Sequence, residues 1–483
     1  MNWIRLIEII YFIIVVLVCI RIIYDTRSSS KTLAYLLLAI FVPVIGIVFY
    51  SIFGVNYRKR IIYSKKLVED EGRLKELEKR VVVLSARNLR KKASEVRFAG
   101  SLVSLLMNDN LSPLTSGNAI KLLINGEETF PEVIDVLENA KHHIHLEYYI
   151  YEDDIIGKRI KDILIRKAKE GVEVRLIYDD LGSSSFRKYL ASELNEAGVE
   201  ALPFNRIRLL ILANRINYRN HRKIIIVDGT YGFVGGINVS DRYINYGDEE
   251  GKTYWRDTHL RIDGPGILTL QHIFLCDWNF CSGQKIKAEP KYFCATPKKD
   301  SNISVQIAAS GPDSPASTIK LSFLKAINLA QHEIHLTTPY FIPGGSIMDA
   351  LKISAMGGVK VKLLVPGISD SVLVNAAARS YYSELLKAGV EIYMYNKGFI
   401  HAKTMIIDDY ISIVGTANMD HRSFDLNFEV NAIIYDTGFA KQLKDSFYND
   451  LTSSDMIRYD QWRLRPVYIK LAEKTARLLS PLL

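Results

Sequence analysis

The chain contains the pattern of His221-Arg222-Lys223-Ile224-Ile225-Ile226-Val227-Asp228 twice, and this repeat predicts the architecture of the protein. The second copy is His401-Ala402-Lys403-Thr404-Met405-Ile406-Ile407-Asp408. In each copy, His-x-Lys is followed by four residues and an Asp, and after six more residues by Gly-x-x-Asn, which ends at Asn238 and at Asn418. Independent recurrence of the whole pattern is improbable, so the repeat predicts two copies of one structural unit that share a site.

Each copy predicts a strand, a tight turn and a returning strand. The strands are the apolar runs Ile224–Val227 and Met405–Ile407, which end in turn-forming residues. The returning strands are Phe233-Val234 and Ile413-Val414. Side chains two residues apart on a strand share a face, so the His and Lys of a motif should point the same way. The Asn beyond the returning strand then comes back to the same end of the sheet.

One imidazole, one ammonium and one amide from each half suit chemistry on a phosphodiester. Two Lys and two Asn hold the non-bridging oxygens, one His attacks phosphorus, and the other His protonates the leaving oxygen. The candidate catalytic residues are His221, Lys223, Asp228, His401, Lys403 and Asp408. Of these, the two Asp stand at turns, and we expect them to hold the hairpins rather than touch substrate. No cofactor and no metal is predicted, because each motif His stands beside a Lys whose charge opposes a divalent ion.

The repeat extends to the elements before the motifs. His143–Glu147 resembles Glu333–Thr337, and Gly171–Ile177 resembles Gly358–Leu364. Between the first two strands, Ile156–Lys169 has the apolar spacing of a helix. The order predicts an α/β fold of two pseudo-twofold-related units, each a mixed sheet flanked by helices. We assign residues 119–290 to unit 1 and residues 300–483 to unit 2.

The paired motifs resemble those of the phospholipase D superfamily. The strings Trp255–Leu260 and Gly415–Phe424 are similar to bacterial cardiolipin synthases, and the resemblance extends from the N-terminus to near residue 465. It implies the same two-unit fold and a covalent phosphatidyl-histidine intermediate. The family pattern favours His221 as the nucleophile and His401 as the acid and then the base, while the symmetry of the sequence permits the reverse.

The resemblance also implies supporting residues around the phosphate. Asp257 and Glu429 are placed, one per half, to bind the second ring nitrogen of a motif His and fix its tautomer. Asn238 and Asn418 are expected at the phosphate oxygens. Thr416 keeps a hydroxyl that the family pattern often has after the glycine of the Gly-x-x-Asn tail, whereas the first half has Gly236 there. The two phosphate-binding halves are therefore expected to be unequal.

The N-terminus contains two long apolar segments, Ile4–Tyr24 and Thr32–Phe53. Each is long enough to cross a bilayer, which takes about 20 residues, so residues 1–57 are predicted to be a transmembrane hairpin at about 4–24 and 32–53. Five basic residues at 58–66 outnumber the two in the loop Asp25–Lys31. The positive-inside rule then predicts a multi-pass protein of the cell membrane with its catalytic part on the cytoplasmic side.

Three other segments leave alternatives open. The charge-dense linker at 58–118 is either a solvated helix or one lying on the membrane. The insert Ile207–Asn220 precedes the first motif and has an apolar run flanked by arginines, which suits either a dip into lipid headgroups or an ordinary packed loop. The C-terminal stretch Tyr459–Leu483 either lies on the membrane or packs as a final helix.

Composition agrees with these expectations without choosing the substrate. The net charge of +9 favours an anionic lipid surface and nucleic acid alike. The four cysteines (Cys19, Cys276, Cys281, Cys294) form no metal-type cluster and agree with a reducing compartment.

Three functions fit the motifs. The first joins two phosphatidylglycerols into cardiolipin and releases glycerol, the second is phospholipid hydrolysis, and the third is cleavage of a nucleic acid. The membrane segments and Trp255–Leu260 favour lipid, so the expected partners are phosphatidylglycerol and a membrane, with no nucleic acid. The sequence leaves acyl-chain preference and the oligomeric state open.

Overall fold

A computed structural model describes residues 3–26, 29–53, 98–110, 112–204, 218–245, 253–314 and 316–480. Most of the predicted charged linker and most of the Ile207–Asn220 insert lie outside these ranges. Those two predictions therefore stay as they were made from the sequence.

The N-terminal region consists of three apolar helices, α1 (Trp3–Asp25), α2 (Ser29–Phe41) and α3 (Pro43–Phe53). In the described part of the chain, α1 is the helix that is long and apolar enough to cross a membrane. Its length of 23 residues corresponds to about 35 Å.

The second predicted membrane segment, 32–53, is not one helix. The chain folds back between α2 and α3, and the ring of Tyr35 lies 5.5 Å from that of Tyr50. Pro43 explains the break, because a proline disfavours helical backbone at the residue before it. Gly46 allows the close approach, since a Cβ at this position would collide with the carbonyl oxygen of Leu38. The two helices form an antiparallel hairpin, and each of them alone is about 20 Å long or less.

The end of the predicted linker is part of the folded core. Residues Gly100–Asn110 form helix α4, in which Leu102, Val103 and Leu106 are fully buried. These side chains belong to the same apolar cluster as Phe323 of unit 2.

Unit 1 has a mixed sheet with helices on both faces. Its strands are β1 (Thr115–Ile124), β2 (His143–Tyr148), β3 (Glu173–Asp179), β4 (Glu200–Phe204), β5 (Ile224–Val227), β6 (Tyr231–Gly235), β7 (Tyr254–Arg256) and β8 (Thr258–Asp263). Its helices are α5 (Asn125–Glu138), α6 (Ile155–Lys169), α7 (Ser184–Tyr189), α8 (Ala191–Glu196) and α9 (Ile267–Ser282), with 3-10 turns at Asp241–Tyr243 and Pro290–Tyr292. The predicted helix and the first motif hairpin are confirmed.

Unit 2 repeats this order. Its strands are β9 (Ile303–Ser310), β10 (Glu333–Thr337), β11 (Phe341–Ile342), β12 (Lys360–Pro366), β13 (Glu391–Tyr395), β14 (Gly398–Ile400), β15 (Thr404–Ile407), β16 (Ile411–Gly415), β17 (Met419–Asp420), β18 (Glu429–Tyr435) and β19 (Ser454–Met456). Its helices are α10 (Thr318–Leu329), α11 (Gly345–Met356), α12 (Val372–Lys387), α13 (His421–Asp425), α14 (Thr437–Leu451), α15 (Tyr459–Arg463) and α16 (Val467–Arg477).

The two units share one sheet. The main strands run in the order β19-β13-β12-β10-β15-β16-β18-β9-β1-β8-β6-β5-β2-β3-β4, and β1 pairs antiparallel with β9 at the centre. In each unit, the first strand of the motif hairpin pairs antiparallel with an inner strand. These pairs are β5 with β2 in unit 1 and β15 with β10 in unit 2. The predicted α/β fold with two pseudo-twofold-related units is confirmed.

The motif strands are apolar on both faces because both faces are covered. Ile225 and Val227 pack on the side of α5 and α6, whereas Ile224 and Ile226 face a central core that also holds Ile406 of the second motif. One core therefore fixes the two motifs relative to each other.

The C-terminal stretch packs as a final helix. Ala476 of α16 is buried, and Arg477 forms an ion pair of 2.6 Å with Glu384 of α12. The outer side of α16 leaves Val467 and Tyr468 mostly exposed.

Candidate active site

The first residue of each motif forms a backbone hydrogen bond to the other unit. The amide of His221 donates to the carbonyl oxygen of Phe428 at 2.9 Å, and the amide of His401 donates to that of Arg256 at 2.7 Å. The short strand β14, which precedes His401, pairs in parallel with β7 of unit 1. Since Phe428 and Arg256 directly precede Glu429 and Asp257, this pairing carries each carboxylate to the motif of the opposite unit.

The two histidines each bind a fully buried carboxylate. His221 Nδ1 lies 2.9 Å from Glu429 Oε2, and His401 Nδ1 lies 2.6 Å from Asp257 Oδ2. A carboxylate only accepts, so each Nδ1 carries the proton and each Nε2 presents a lone pair. The sequence predicts one such carboxylate per half, and the structure shows that each serves the histidine of the other half.

Burial favours the neutral form of both imidazoles. It lowers the pKa of His221 although Glu429 opposes the shift, and burial together with the charge of Lys403 lowers the pKa of His401 to about 3. Burial raises the pKa of each carboxyl group, but the neighbouring His and Lys charges outweigh this and hold the pKa of Asp257 and Glu429 below its usual value. The site therefore contains two neutral bases on two carboxylates.

The two motif lysines are buried and perturbed. Lys223 Nζ donates to the carbonyl oxygen of His221 at 2.9 Å, and Lys403 Nζ makes the same bond to His401. Burial lowers the pKa of Lys223 to about 7 and that of Lys403 to about 8. Each ammonium has three donors and uses one of them here, so donors remain for an anion.

Both histidines open into one cavity of about 430 Å³. Asn238 and Asn418, which are expected at the phosphate oxygens, line this cavity. Asn238 is fixed by accepting from the amide of Ile150 at 3.1 Å and donating to the hydroxyl of Tyr243 at 2.7 Å. In the described part of the chain, the side-chain oxygen of Asn418 has no hydrogen-bond partner. The other lining residues are Tyr149, Ile150, Arg219, Arg242, Tyr243, Trp255, Tyr340, Ile342, Asp370, Ser371, Val374, Asp420, Arg422 and Asn427.

Thr416 contacts a carboxylate rather than the cavity. Its hydroxyl donates to Glu429 Oε2 at 2.5 Å and accepts from the amide of Val430 at 2.9 Å. Gly236 occupies the matching position in unit 1, where a Cβ would collide with the carboxylate of Asp257. There the amide of Thr258 donates to Asp257 Oδ1 at 2.7 Å instead. The two halves therefore differ in how each carboxylate is held, and the expected difference in phosphate binding stays a prediction.

The two motif aspartates lie at the hairpin turns, at the other end of the motif strands from the histidines. Asp228 accepts hydrogen bonds from the amides of Lys141, His142 and His143 at 2.7–3.0 Å. Asp408 binds the amides of residues 331–333 in the same way. Both adopt positive φ angles, which turn residues such as Asp tolerate. This geometry agrees with the expected support of the hairpins.

Several cavity residues were missed in the sequence. Arg242 and Arg422 each stand four residues after the Asn of a Gly-x-x-Asn tail, so the repeat held a signal for them. Tyr149, whose ring lies 4.9 Å from that of His221, follows the first inner strand and has no sequence signal of its own. Arg219 stands inside the insert, where the sequence shows it only as one of the arginines that flank the apolar run.

The chain matches family models and known proteins over most of its length. A family model described as the cardiolipin synthase, PLD-like domain matches residues 133–254 and 323–451, and one described as the phospholipase D-nuclease N-terminal region matches residues 10–54. The chain is 42% identical to the cardiolipin synthase of Alkalihalophilus pseudofirmus, over 99% of this chain and 93% of that protein. It is 40% identical to the major cardiolipin synthase of Bacillus subtilis, over 98% of each chain.

Among solved structures, the phosphatidylserine synthase of Haemophilus influenzae is similar, with a TM-score of 0.61 at 14% identity. The likeness covers 79% of this chain and 99% of that chain. At this identity the likeness concerns the fold alone.

Proposed function

The chain belongs to the cardiolipin synthase family of phospholipase D-like proteins, and from this we propose that it transfers a phosphatidyl group from one phosphatidylglycerol to a second. The products are cardiolipin and glycerol. The enzyme is membrane-associated and acts on phospholipid. The observation that carries the proposal is the pair of histidines in one cavity, each hydrogen-bonded to a buried carboxylate of the opposite unit.

In the first step, Nε2 of His221 attacks the phosphorus of the donor lipid. The phosphorus–nitrogen bond forms, the bond to the glycerol oxygen breaks, and His401 gives that oxygen a proton. His401 has to be protonated for this, and the negative charge of the entering phosphodiester favours its imidazolium, which Asp257 then stabilises. Lys223, Lys403 and the two Asn bind the non-bridging oxygens.

In the second step, the phosphatidyl group passes to the second lipid. His401, now neutral, takes the proton from a primary hydroxyl of the acceptor, and the oxygen attacks phosphorus. The bond to His221 Nε2 breaks and leaves that imidazole neutral, while His401 retains the proton that the next donor lipid needs. Glu429 stabilises the positive charge on the ring of His221 while the intermediate exists.

The activity is tested with the purified full chain in liposomes that contain phosphatidylglycerol labelled in its glycerol headgroup. We expect cardiolipin and free labelled glycerol in equal amounts. Phosphatidic acid in place of cardiolipin would identify a hydrolase. Intact lipid, together with cleavage of an added nucleic acid, would refute the lipid proposal.

The roles of the two histidines are separated by a substrate with a better leaving group. Phosphatidyl p-nitrophenol needs no acid to expel its phenolate. We expect His401→Ala to release one phenolate per enzyme and then stop, because the intermediate forms but lacks a base. His221→Ala should release none. The opposite pattern would exchange the roles.

The rim of the cavity supports access from a bilayer. Asp370 and Ser371 line the cavity, and beside them Ile368 of the same loop and Val372 at the start of α12 are 53% and 88% exposed. Leu181, two residues beyond β3 as Ile368 is beyond β12, is 52% exposed. Exposed apolar side chains in such a place are typical of contact with a membrane or a partner. Because α1 anchors the full chain, replacing Ile368 and Val372 with Ser should lower turnover of lipid in liposomes rather than attachment to the membrane, and unchanged turnover would contradict this role.

We infer further that α1 crosses the bilayer once and that the α2–α3 hairpin enters and leaves it on one side. The hydrocarbon core is about 30 Å thick, which α1 spans and each hairpin helix does not. The segments 25–31 and 58–66 then lie on one side, and their basic residues favour the cytoplasm for that side and for the catalytic units.

This topology places residue 28 on the cytoplasmic side, whereas the multi-pass expectation with two full crossings places it on the opposite side. Ser28→Cys in a chain whose four native cysteines are replaced should resist a membrane-impermeant maleimide in intact cells. Labelling before lysis would show two full crossings instead.

A further inference from the structure

The cavity contains a cation that the chemistry at the reacting phosphorus does not use. Arg219 lines the cavity, two residues before His221, and its side chain is only 4% exposed. In the described part of the chain, neither Nη1 nor Nη2 of Arg219 has a hydrogen-bond partner. Leaving buried donors unsatisfied is costly, more so on a charged group. The guanidinium is therefore placed to bind an acceptor that enters the cavity.

Asp179 does not fill this role. Its Oδ1 is 3.6 Å from Arg219 Nη1, an ion pair beyond hydrogen-bonding distance. Its oxygens instead accept from the amides of Leu181, Gly182 and Asn220 at 2.9–3.1 Å. Asp179 thus balances the charge of Arg219 and leaves its donors available.

The backbone of Arg219 is held in place before any ligand arrives. Its carbonyl oxygen accepts from the amide of Phe428 at 2.8 Å, on the same cross-unit pairing that positions His221. A charged donor that is fixed in advance binds an anion with less loss of entropy.

Arg219 also breaks the symmetry of the site. The motif His, Lys and Asn each have a counterpart in the other unit, whereas the position two residues before His401 is Phe399, whose ring lies 5.8 Å from that of His401. A symmetric set suits the one phosphate that both histidines contact in turn. A cation on one side only suits a second anion that lies off the pseudo-twofold axis.

We propose that Arg219 binds the phosphate of the acceptor phospholipid. This rests on the proposed function, in which two phosphodiesters occupy the site together and only one of them reacts. In phosphatidylglycerol the attacking hydroxyl oxygen is joined to its own phosphate by a three-carbon bridge. A guanidinium binds a phosphodiester through two parallel hydrogen bonds.

The test compares an anionic with a neutral acceptor. Exchange of labelled glycerol into phosphatidylglycerol uses the same histidines and the same transferred phosphate, but its acceptor has no phosphate. Cardiolipin formation uses an acceptor that has one. For Arg219→Gln we expect cardiolipin formation to fall about tenfold to a hundredfold at limiting lipid, with glycerol exchange within about threefold of wild type.

Two further variants complete the comparison. Arg219→Lys keeps the charge without the planar guanidinium, so its rate of cardiolipin formation should lie between those of wild type and Arg219→Gln. If the Gln variant does not fold, the two rates of the Lys variant are compared instead. Arg187→Gln is the matched control, because Arg187 is half-exposed on α7, pairs with Asp180 at 3.1 Å and does not line the cavity. It should leave both rates unchanged.

Equal loss of both rates in Arg219→Gln would assign Arg219 to the transferred phosphate or to the fold and overturn the inference. Unchanged rates in both reactions would overturn it too. A wild-type enzyme that exchanges glycerol but makes no cardiolipin would refute the proposed function itself, and the acceptor subsite with it.

Discussion

The two carboxylates that hold the histidines predict an unequal response to the same amide substitution. Glu429 Oε2 accepts from His221 Nδ1 and Thr416 Oγ1, and its Oε1 accepts from Asn427 Nδ2 at 3.1 Å. In Glu429→Gln the new oxygen can keep the first two bonds while the new NH2 group faces Asn427. The side-chain oxygen of Asn427 has no hydrogen-bond partner in the described part of the chain, so a flip of that amide supplies an acceptor.

At Asp257, no side-chain flip can compensate for the same amide substitution. Its Oδ2 accepts from His401 Nδ1, and its Oδ1 accepts from the backbone amide of Thr258, which cannot flip. In Asp257→Asn the NH2 group must face one of these two donors. If the NH2 group faces the amide of Thr258, two buried donors oppose each other. If it faces His401, the proton of that imidazole has to move from Nδ1 to Nε2.

The expected magnitudes follow from these contacts. Glu429→Gln loses the charge but keeps the tautomer of His221, and the difference between a charged and a neutral hydrogen bond, about 1–2 kcal/mol, corresponds to about a 5- to 30-fold loss in kcat. Asp257→Asn loses the charge, adds a buried unsatisfied donor at about 1–3 kcal/mol and disfavours the imidazolium of His401. We expect a loss of about 10³-fold or more in this variant.

The assay is cardiolipin formation in mixed micelles at saturating phosphatidylglycerol, with thermal melting to verify that both variants fold. The ¹⁵N chemical shifts of His401 report the tautomer change independently of turnover. If Glu429→Gln is as damaging as Asp257→Asn, or if His401 keeps its tautomer in the latter, the reasoning from hydrogen-bond partners is refuted.

Three further predictions follow from the site and its support. Burial lowers the pKa of Lys223 to about 7 and that of Lys403 to about 8, so above pH 8 both lysines are mostly neutral and must regain their protons when an anion binds. Competitive inhibition by sulfate, whose own charge is constant in this range, should therefore weaken as the pH rises from 7 to 9, by up to about tenfold per pH unit for each lysine, and constant inhibition would contradict these pKa values. Gly236→Ala should lower turnover about a hundredfold, because its Cβ collides with the Asp257 carboxylate and moves it from its histidine, and a fully active variant would show that the carboxylate has room to move. Asp228→Asn should lower the free energy of unfolding by about 1–3 kcal/mol through its backbone bonds and leave kcat within about threefold, whereas a large fall in kcat with unchanged melting would point to a direct role in the chemistry.

Much of the site was predictable because it rests on local patterns. Strands and their returning partners are short-range features, and alternation along them fixes which side chains share a face. The repeat then gave the number of units, and the motif hairpins lie where the sequence predicted them. His221, His401, Asn238 and Asn418 all reach one cavity.

The remaining features depend on contacts between distant residues. The exchange of Asp257 and Glu429 between units arises from the pairing of β7 with β14 and of Phe428 with the first motif, which no local pattern encodes. The same contacts bury Arg219 at the cavity. Likewise, hydropathy predicts one long apolar segment at 32–53, because it reports the length of an apolar stretch and not its path. The packing of Tyr35 on Tyr50 shows that the chain reverses near Pro43.

Periodicity and spacing act within a few residues, so the sequence was enough to predict the two-unit α/β fold and to place the candidate site residues at one end of the motif strands. The contacts between distant segments were needed to learn which carboxylate binds which histidine, how Gly236 and Thr416 differ, and where Arg219 lies. These depend on the distances between chain segments that fold far apart in sequence, and those distances are set by the shared core and the cross-unit strand pairs.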